Sequence, residues 1–198
     1  WKQSMVEEDF TLLCIRCGFV VLENPMIVRA EFRDLKSPAI DIICKPLHTY
    51  GKQLTSGVTT TMIHLVTKFE HAPAPASEVL ATMAEEFNAP ALGYELMQEV
   101  GKMDPEDLAR DPTGCRNLSN LLIETAEMCP ALLQPNMAVL MPHFDADNYP
   151  MRSALSVVIG ELLVAAMGKK ADKAGKSGKA SKAKPRAESN TGEMCCVG

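Results

Sequence analysis

The sequence of 198 residues has few aromatic side chains and no long uninterrupted apolar segment. Aromatic residues make up only 5% of it, although hydrophobic residues make up 46%. That hydrophobic fraction is ordinary for a globular protein, and the longest purely apolar runs fall far short of the roughly 18 residues that a membrane-spanning helix needs. The composition therefore predicts one compact domain, or one domain with a tail, that does not cross a membrane.

The chain also lacks an initiator Met, a leader peptide and a regular cysteine pattern. It begins at Trp1 without the charged, apolar and small-residue series of a signal peptide, so we interpret Trp1 as the start of a fragment. Its seven cysteines are odd in number and irregularly spaced. This pattern favours a reducing compartment over a disulfide framework.

Motifs that carry chemistry are missing as well. No GxxxxGK[ST] loop is present to hold phosphates, and the CxxC of Cys14 and Cys17 has neither a second CxxC nor a spaced His pair to complete a zinc site. Consecutive carboxylates such as Glu85 and Glu86 point to different sides of a helix, which makes them poor acid–base pairs. We therefore predict no enzymatic activity, no metal, no cofactor and no small-molecule substrate.

Charge is unevenly distributed along the chain. Residues 168–198 contain 8 basic and 3 acidic side chains, which leaves 12 basic and 22 acidic side chains in residues 1–167. The last 31 residues are rich in Lys, Ala, Ser and Gly without an apolar period, so we predict a disordered basic tail behind an acidic domain of residues 1–167. A solubilising linker is one interpretation of this tail, and nucleic-acid contact is the other. The candidate contact residues are Lys169, Lys170, Lys173, Lys176, Lys179, Lys182, Lys184 and Arg186.

The clearest periodic signal lies in residues 151–166, where apolar residues recur at helical spacing from Met151 to Ala166. Pro150 suits the first turn, Asp147 or Asn148 can cap it, and Gly168 is the predicted end. Weaker patterns predict further helices, with Pro46 distorting one of them. These helices are predicted at Phe10–Leu22, Ser37–Leu47, Ser56–Phe69, after Ser77, from Pro90 to Gly101, after Asp104, and at Cys115–Cys129, with shorter pieces over 131–144.

About eight helices with short connections rich in Pro and Asp predict an all-α fold of stacked antiparallel pairs. A pair spacing near 40 residues is compatible with HEAT-type repeats, whose units cannot bury their apolar faces alone. The predicted fold class is thus an all-α, HEAT-like helical solenoid with a disordered C-terminal tail.

Residues 145–163 resemble the HEAT repeat signature, in which an acid precedes a helix that opens with an apolar residue, Arg and then Ala. Asp147, Met151, Arg152 and Ala154 occupy those positions. Together with the blocks 95–108 and 108–133, this stretch resembles the N-terminal domain of the condensin complex subunit 1 family. The likeness covers about Met62–Met167 and, loosely, Phe19–Gly51. Several blocks follow the order of that family: Arg110–Gly114, Glu124–Glu127 with Pro130, and Tyr149–Arg152.

The sequence departs from the family pattern in three ways. Ser153 stands where the family usually has Asn, and Pro46 interrupts an expected helix. The Lys-rich tail also begins where the family continues into further HEAT repeats. The paralogous subunit of the second condensin complex is a close alternative.

The resemblance implies a non-catalytic regulatory subunit that ties the kleisin subunit, the SMC ATPase heads and chromatin or DNA together during mitotic chromosome condensation. It implies a location in the nucleus and on chromosomes, with a cytoplasmic pool, and no membrane partner. Another HEAT-type scaffold or transport adaptor, and a nucleic-acid binder acting through its tail, are the alternative functions.

Arg152 is the residue that we single out within the signature. Its guanidinium can serve several acceptors at once, so we predict that it bridges to Asp147 or Asp145 and positions one repeat on the next. An exposed surface Arg is the alternative interpretation.

Overall fold

The computed structural model describes residues 2–50 and 54–177, with side chains for residues 9–32, 34–50 and 54–167. This part of the chain is all-α and contains no strand, as predicted. Short 3-10 turns cover Pro25–Val28, Ala30–Phe32 and Gln134–Asn136. The helices are α1 (Lys2–Glu23), α2 (Arg33–Tyr50), α3 (Thr55–Lys68), α4 (Pro73–Glu85), α5 (Ala91–Lys102), α6 (Pro105–Arg110), α7 (Pro112–Met128), α8 (Pro130–Leu133), α9 (Met137–Leu140), α10 (Pro142–Asp145) and α11 (Tyr149–Ser177).

The helices within residues 1–165 pack in two rows. Helices α2, α4 and α7 contact one another in succession, and α3, α5 and α9 do the same. Contacts of α3 with α7 and of α4 with α5 join the rows, and α1 packs on α2. Packing of each helix on its neighbours in this way is the arrangement of an all-α helical repeat.

The core between these helices is aliphatic. Leu96, Met97, Leu118 and Leu122 are completely buried, and Phe19 is the only aromatic residue among the buried core positions of the described side chains. Stacked helices present Leu, Ile, Val and Met stripes to one another, so this fold needs few aromatic rings. The low aromatic content of the sequence therefore agrees with the core that the chain builds.

Asp-Pro pairs begin two of the helices: the start after Asp104 was predicted, whereas the helix after Asp111 was predicted to begin only at Cys115. The Asp104 side chain accepts a hydrogen bond from the Glu106 amide at 2.8 Å, and the Asp111 side chain accepts one from the Gly114 amide at 3.0 Å. Each carboxylate satisfies an amide that has no partner within its helix. Asn88, which follows α4, has φ of 49° and so adopts the left-handed conformation that often ends a helix.

Five predicted helix starts were wrong: α1 begins at Lys2 rather than Phe10, and α7 begins at Pro112 rather than Cys115. Ser77 lies inside α4, which begins at Pro73, and Ser56 is the second residue of α3 rather than its cap. Helix α2 begins at Arg33, before Ser37, and runs through Pro46. A proline removes its own amide donor and crowds the carbonyl four residues earlier, which here belongs to the exposed Ile42. Water can therefore reach this region of the helix, and the helix continues.

Gly168 does not end α11, which continues to Ser177. The helix thus passes the end predicted at Gly168, whereas the disorder predicted for residues 168–198 stays a prediction, and residues 178–198 lie outside the described part of the chain. Contacts divide the chain into two units, residues 1–165 and 166–198. The assignment of residues 168–198 as a separate basic domain stays a prediction.

One stretch, Tyr149–Met167, is long and apolar enough to cross a membrane by length and composition. The sequence argument excluded such a stretch because it considered uninterrupted apolar runs only, so that exclusion was too broad. The first half of this stretch contributes Met151, Leu155 and Val158 to the buried core. These three side chains place part of the stretch in the core, although only 22% of it is buried.

Candidate interaction surfaces

Three side chains, two of them buried and one partly buried, tie the carboxyl ends of three helices to later parts of the chain. Each donates to a carbonyl within the last three residues of α1, α3 or α5, where helix carbonyls lack some of their intrahelical partners. The residues joined are 43 to 51 positions apart, close to the predicted pair spacing. The donor and acceptor pairs are His71 Nε2 and Leu22 O at 3.1 Å, Asn117 Nδ2 and Val66 O at 3.0 Å, and His143 Nε2 and Val100 O at 2.9 Å.

A fourth polar contact joins α7 to the start of α11. The Asn148 side-chain oxygen accepts from the Met151 amide at 3.4 Å, so Asn148 is the cap that the sequence allowed beside Asp147. The same oxygen accepts from the Cys115 thiol at 3.1 Å. Because Asn148 and Cys115 are both buried, this contact positions α11 on the core.

Arg152 lies one turn into α11 and is half-exposed. Its guanidinium is 3.7 Å from the Asp147 carboxylate, which is fully exposed. Asp145, at the end of α10, takes part in none of the ion pairs found among the described side chains. The pair with Asp147 connects α11 to the turn just before it, and a bridge between repeats stays a prediction.

The predicted nucleic-acid contacts lie at or beyond the end of the described chain. The backbone of α11 includes Lys169, Lys170, Lys173 and Lys176, whose side chains are outside the described part. Lys179, Lys182, Lys184 and Arg186 lie outside the described residues altogether. Contact of any of these residues with nucleic acid remains a prediction.

An acidic groove runs across α2, α4 and the end of α7. It has a volume of about 330 Å³, and Asp41, Glu78 and Glu86 line it above Ile40 and Met128. Lys36 pairs with Glu78 at its edge. The groove combines carboxylates with an apolar floor.

Two ionisable groups beside this groove have raised pKa values. Burial raises the pKa of Glu124 above the usual range, although the Ser77 hydroxyl donates to its carboxylate at 3.2 Å and partly opposes the shift. Burial, helped by the charges of Asp41 and Glu86, raises the pKa of the Cys44 thiol to about 12. Cys44 therefore stays a neutral thiol at physiological pH, so it is a poor nucleophile and metal ligand.

A cleft of about 670 Å³ lies between the end of α2 and the start of α5. Leu47, Met83 and Leu92 form its apolar wall, and His48 stacks on Phe87 with ring centroids 5.1 Å apart. Within the described side chains, no group of three or more His, Cys, Asp or Glu residues could hold a metal ion. The five described cysteines are free, and three of them are buried.

Sequence reasoning missed the residues that tie the helices together. His143 and Asn117 looked like ordinary polar residues within apolar patterns, because their acceptors are more than 40 residues away. The position of Asn117 among buried neighbours on the apolar stripe of α7 was the only available signal. The Lys36–Glu78 pair across α2 and α4 left no local pattern at all.

Two rows of helices, with three helix ends tied to later parts of the chain by polar side chains, define an all-α helical-repeat protein. The chain is similar to proteins named condensin complex subunit 1. It is 30% identical to that of Mus musculus over 84% of the chain and 29% identical to that of Homo sapiens over 84%. It is 26% identical to condensin-1 complex subunit CAP-D2 of Arabidopsis thaliana over 82%.

These matches confirm the resemblance that the sequence motifs indicated. The chain spans about 12% of the length of the animal relatives and 11% of the plant relative. No family model matches the chain.

Proposed function

We propose that this chain acts as part of a non-catalytic scaffold subunit of condensin in mitotic chromosome condensation. Similarity to condensin subunits from animals, a plant and a yeast, over more than 80% of the chain in each case, is the observation that carries this proposal. The proposed partners are the kleisin subunit and the SMC ATPase heads, with chromatin or DNA as a third. The proposed location is the nucleus and chromosomes, with a cytoplasmic pool.

The structure supports a role exercised through surfaces. Side chains that could have served chemistry are engaged in packing: His143 and Asn117 donate to helix carbonyls, and Cys44 is buried and neutral. The acidic groove across α2, α4 and α7 remains open. ATP hydrolysis in the assembly would belong to the SMC partners.

Co-purification tests this proposal directly. The tagged chain is incubated with a mitotic extract, and the proteins recovered are identified and quantified by mass spectrometry. We expect SMC and kleisin chains to be enriched over the untagged control. Recovery of vesicle coat or cargo proteins instead would support the alternative of a transport adaptor.

A shortened chain that ends at residue 177 is the matched control. It keeps every described helix and removes residues 178–198. If the described helices carry the association, recovery of SMC and kleisin chains stays unchanged. If the shortened chain no longer recovers SMC and kleisin chains, the basic tail is needed for the association, which would contradict a role for the helical rows.

The charge of residues 168–198 favours a second candidate function, nucleic-acid binding by the tail. Eight basic and three acidic residues stand there, behind 22 acidic and 12 basic residues in the rest of the chain. The acidic part repels phosphates at long range, so contact with DNA would fall to the tail.

Fluorescence anisotropy with a short DNA duplex tests the tail. If the tail makes six or more phosphate contacts, affinity falls by roughly 10³-fold or more between about 50 mM and 200 mM salt. We expect binding to vanish when residues 168–198 are removed. Equal affinity of the full and shortened chains would contradict this function of the tail.

A further inference from the structure

Glu124 of α7 is a partly buried carboxylate without a paired cation. Among the side chains that the structure describes, it takes part in none of the ion pairs. Lys36 of α2 attracts it, but Lys36 is already paired with Glu78 of α4. Removal from water disfavours the charged form of a carboxyl group that no cation compensates. The surroundings of Glu124 therefore favour its neutral, protonated form.

A hydroxyl group on α4, that of Ser77, faces this carboxylate. Ser77 is completely buried, and its Oγ lies 3.2 Å from Glu124 Oε2, 2.8 Å from Ala74 O and 3.4 Å from Met128 Sδ. A hydroxyl group has one hydrogen to donate, and its oxygen can also accept. Ser77 therefore cannot donate to Ala74 and to Glu124 at the same time. A hydrogen on Glu124 would join all three groups in one chain of hydrogen bonds.

We propose that Glu124 and Ser77 form a proton-binding site between α7 and α4, in which one hydrogen bond reverses its direction with pH. When Glu124 is ionised, the Ser77 hydroxyl donates to its carboxylate. When Glu124 takes up a proton from solvent, its O–H donates to Ser77 Oγ, and the Ser77 hydroxyl donates to Ala74 O. The two helices stay joined in both states, which differ by one proton and by the direction of the bond.

Charged groups from three helices act on this proton. Burial is the largest cause and raises the pKa of Glu124 above the ordinary range of a glutamate, whereas the hydrogen bond from Ser77 lowers it. The negative charges of Glu127 on α7 and Glu78 on α4 raise this pKa, and Lys36 on α2 lowers it. The causes that favour the proton prevail, so the folded chain binds it more tightly than the unfolded chain does.

The charge beside the acidic groove changes with this proton. Met128 and Glu78 line the groove, and Met128 also contacts Ser77. As the pH rises from the ordinary carboxyl pKa through the raised pKa of Glu124, the proton is lost and this region gains a negative charge. The contribution of Glu124 to stability is complete below the ordinary carboxyl pKa and is lost over the same interval.

Carbon-13 NMR of the side-chain carboxyl groups in the full chain measures the proton directly. The Glu124 signal is assigned by its absence from Glu124→Gln, and its shift is followed from acidic to neutral pH. We expect the pKa of Glu124 to lie above that of an ordinary glutamate. Ser77→Ala should raise it further, because the ionised carboxylate then loses its donor.

Thermal melts at acidic and neutral pH test the reversal of the bond. In the unaltered chain, Ser77→Ala should lower the melting temperature more at neutral pH, because a hydrogen bond to an ionised carboxylate is stronger than one to a neutral group. Glu124→Gln reproduces the protonated state, since its side-chain amide can donate to Ser77 Oγ. In Glu124→Gln, the loss caused by Ser77→Ala should therefore be the same at both pH values.

Ser119→Ala is the matched control on α7. Ser119 is also buried, and its hydroxyl donates to Cys115 O at 2.8 Å, four residues earlier on the same helix. Both substitutions remove one buried hydroxyl, but only that of Ser77 bonds to a carboxyl group. The loss of melting temperature caused by Ser119→Ala should therefore be equal at acidic and neutral pH.

Two results would overturn the proposal. The first is a Glu124 carboxyl group that titrates at or below the ordinary glutamate value in the unaltered chain, a measurement that requires no destabilised variant. The second is a loss from Ser77→Ala that is as independent of pH as the loss from Ser119→Ala. The proton site needs only this chain, so its failure would leave the condensin proposal intact.

Discussion

At the scale of single residues, polar side chains hold distant parts of this chain together. Asn117 Nδ2 reaches Val66 O at 3.0 Å across the contact between α7 and α3. Removing the donor of a buried carbonyl near a helix end lowers the folding stability by about 1–3 kcal/mol if no water replaces the donor. These contacts therefore fix how one helix row sits on the next, while the aliphatic core supplies most of the cohesion.

Asn117→Ala should lower the free energy of unfolding by about 2 kcal/mol, because it leaves the Val66 carbonyl without this donor and opens a small cavity. Chemical denaturation with circular dichroism measures the change. Asn120→Ala is the control, since Asn120 is exposed on the same helix and should change stability by less than about 0.5 kcal/mol. Equal effects of the two substitutions would contradict the role of Asn117.

Arg152→Ala should lower thermal stability slightly, without loss of helicity, if Arg152 serves as a bridge. Its ion pair with Asp147 is long and exposed, so the expected cost is at most about 1 kcal/mol. Melting curves of Arg152→Ala, Asp147→Ala and the double variant measure the coupling of the two residues. Melting curves that coincide with that of the unaltered chain would refute the bridge.

At the scale of the helices, two different physical effects decide where a helix begins or ends. Asp104 and Asp111 cap α6 and α7 through local hydrogen bonds, but the sequence analysis used this signal only for α6 and placed the start of α7 at Cys115 instead of Pro112. Gly101 lies inside α5 although it looked like a terminator, because Val139 of α9 packs against it. A glycine therefore marks either a helix end or a close contact, and only the packing distinguishes them.

Gly101→Ala should destabilise the protein by about 1–3 kcal/mol, because the new methyl group would meet the backbone oxygen of Val139 at 2.7 Å. Gly57→Ala, at an open site, should instead stabilise it by roughly 0.5–1 kcal/mol. Thermal melts of the two variants give the comparison. Stabilisation by both substitutions would show that α5 and α9 do not approach closely.

At the scale of the whole molecule, charged side chains from separate parts of the sequence come together in patches. Carboxylates from α2, from α4 and from the residue that follows α4 line the acidic groove, and Lys36 pairs with one of them. Glu124 of α7 is partly buried, and burial raises the pKa of its carboxyl group. Folding therefore works against the ionisation of this side chain.

Glu124→Gln should raise the melting temperature at pH 7 and have a smaller effect at acidic pH. Because the pKa of Glu124 is raised by folding, the folded state retains a proton that the unfolded state has lost, and stability falls as pH rises from the ordinary carboxyl pKa to the raised one. Gln carries no charge and avoids this loss.

Glu127→Gln, on the same helix and exposed, is the control for the general reduction in negative charge. Its effect on the melting temperature at pH 7 should be smaller than that of Glu124→Gln. A larger effect of Glu127→Gln would show that repulsion, rather than burial, governs this surface.

Much of the fold was predictable because its information is local. The apolar period of residues 151–166 and the Asp-Pro caps predicted helices that the structure contains. The wrong starts at Ser56 and Ser77 share one cause. Both serines have the chemistry of a cap, but each lies inside a helix that begins earlier, and Ser77 makes its contacts with Ala74 and Glu124.

The sequence by itself determined the helical class, the aliphatic core and the resemblance to condensin subunits, because helical periodicity, capping and motif order are properties of neighbouring residues. Only the tertiary structure decided that Asn117 and His143 serve helix ends far along the chain, and that Leu163 of α11 is exposed whereas Leu155 is buried. Those features depend on which helices pack together. The residues in contact are far apart in the sequence, so they meet only in the folded chain.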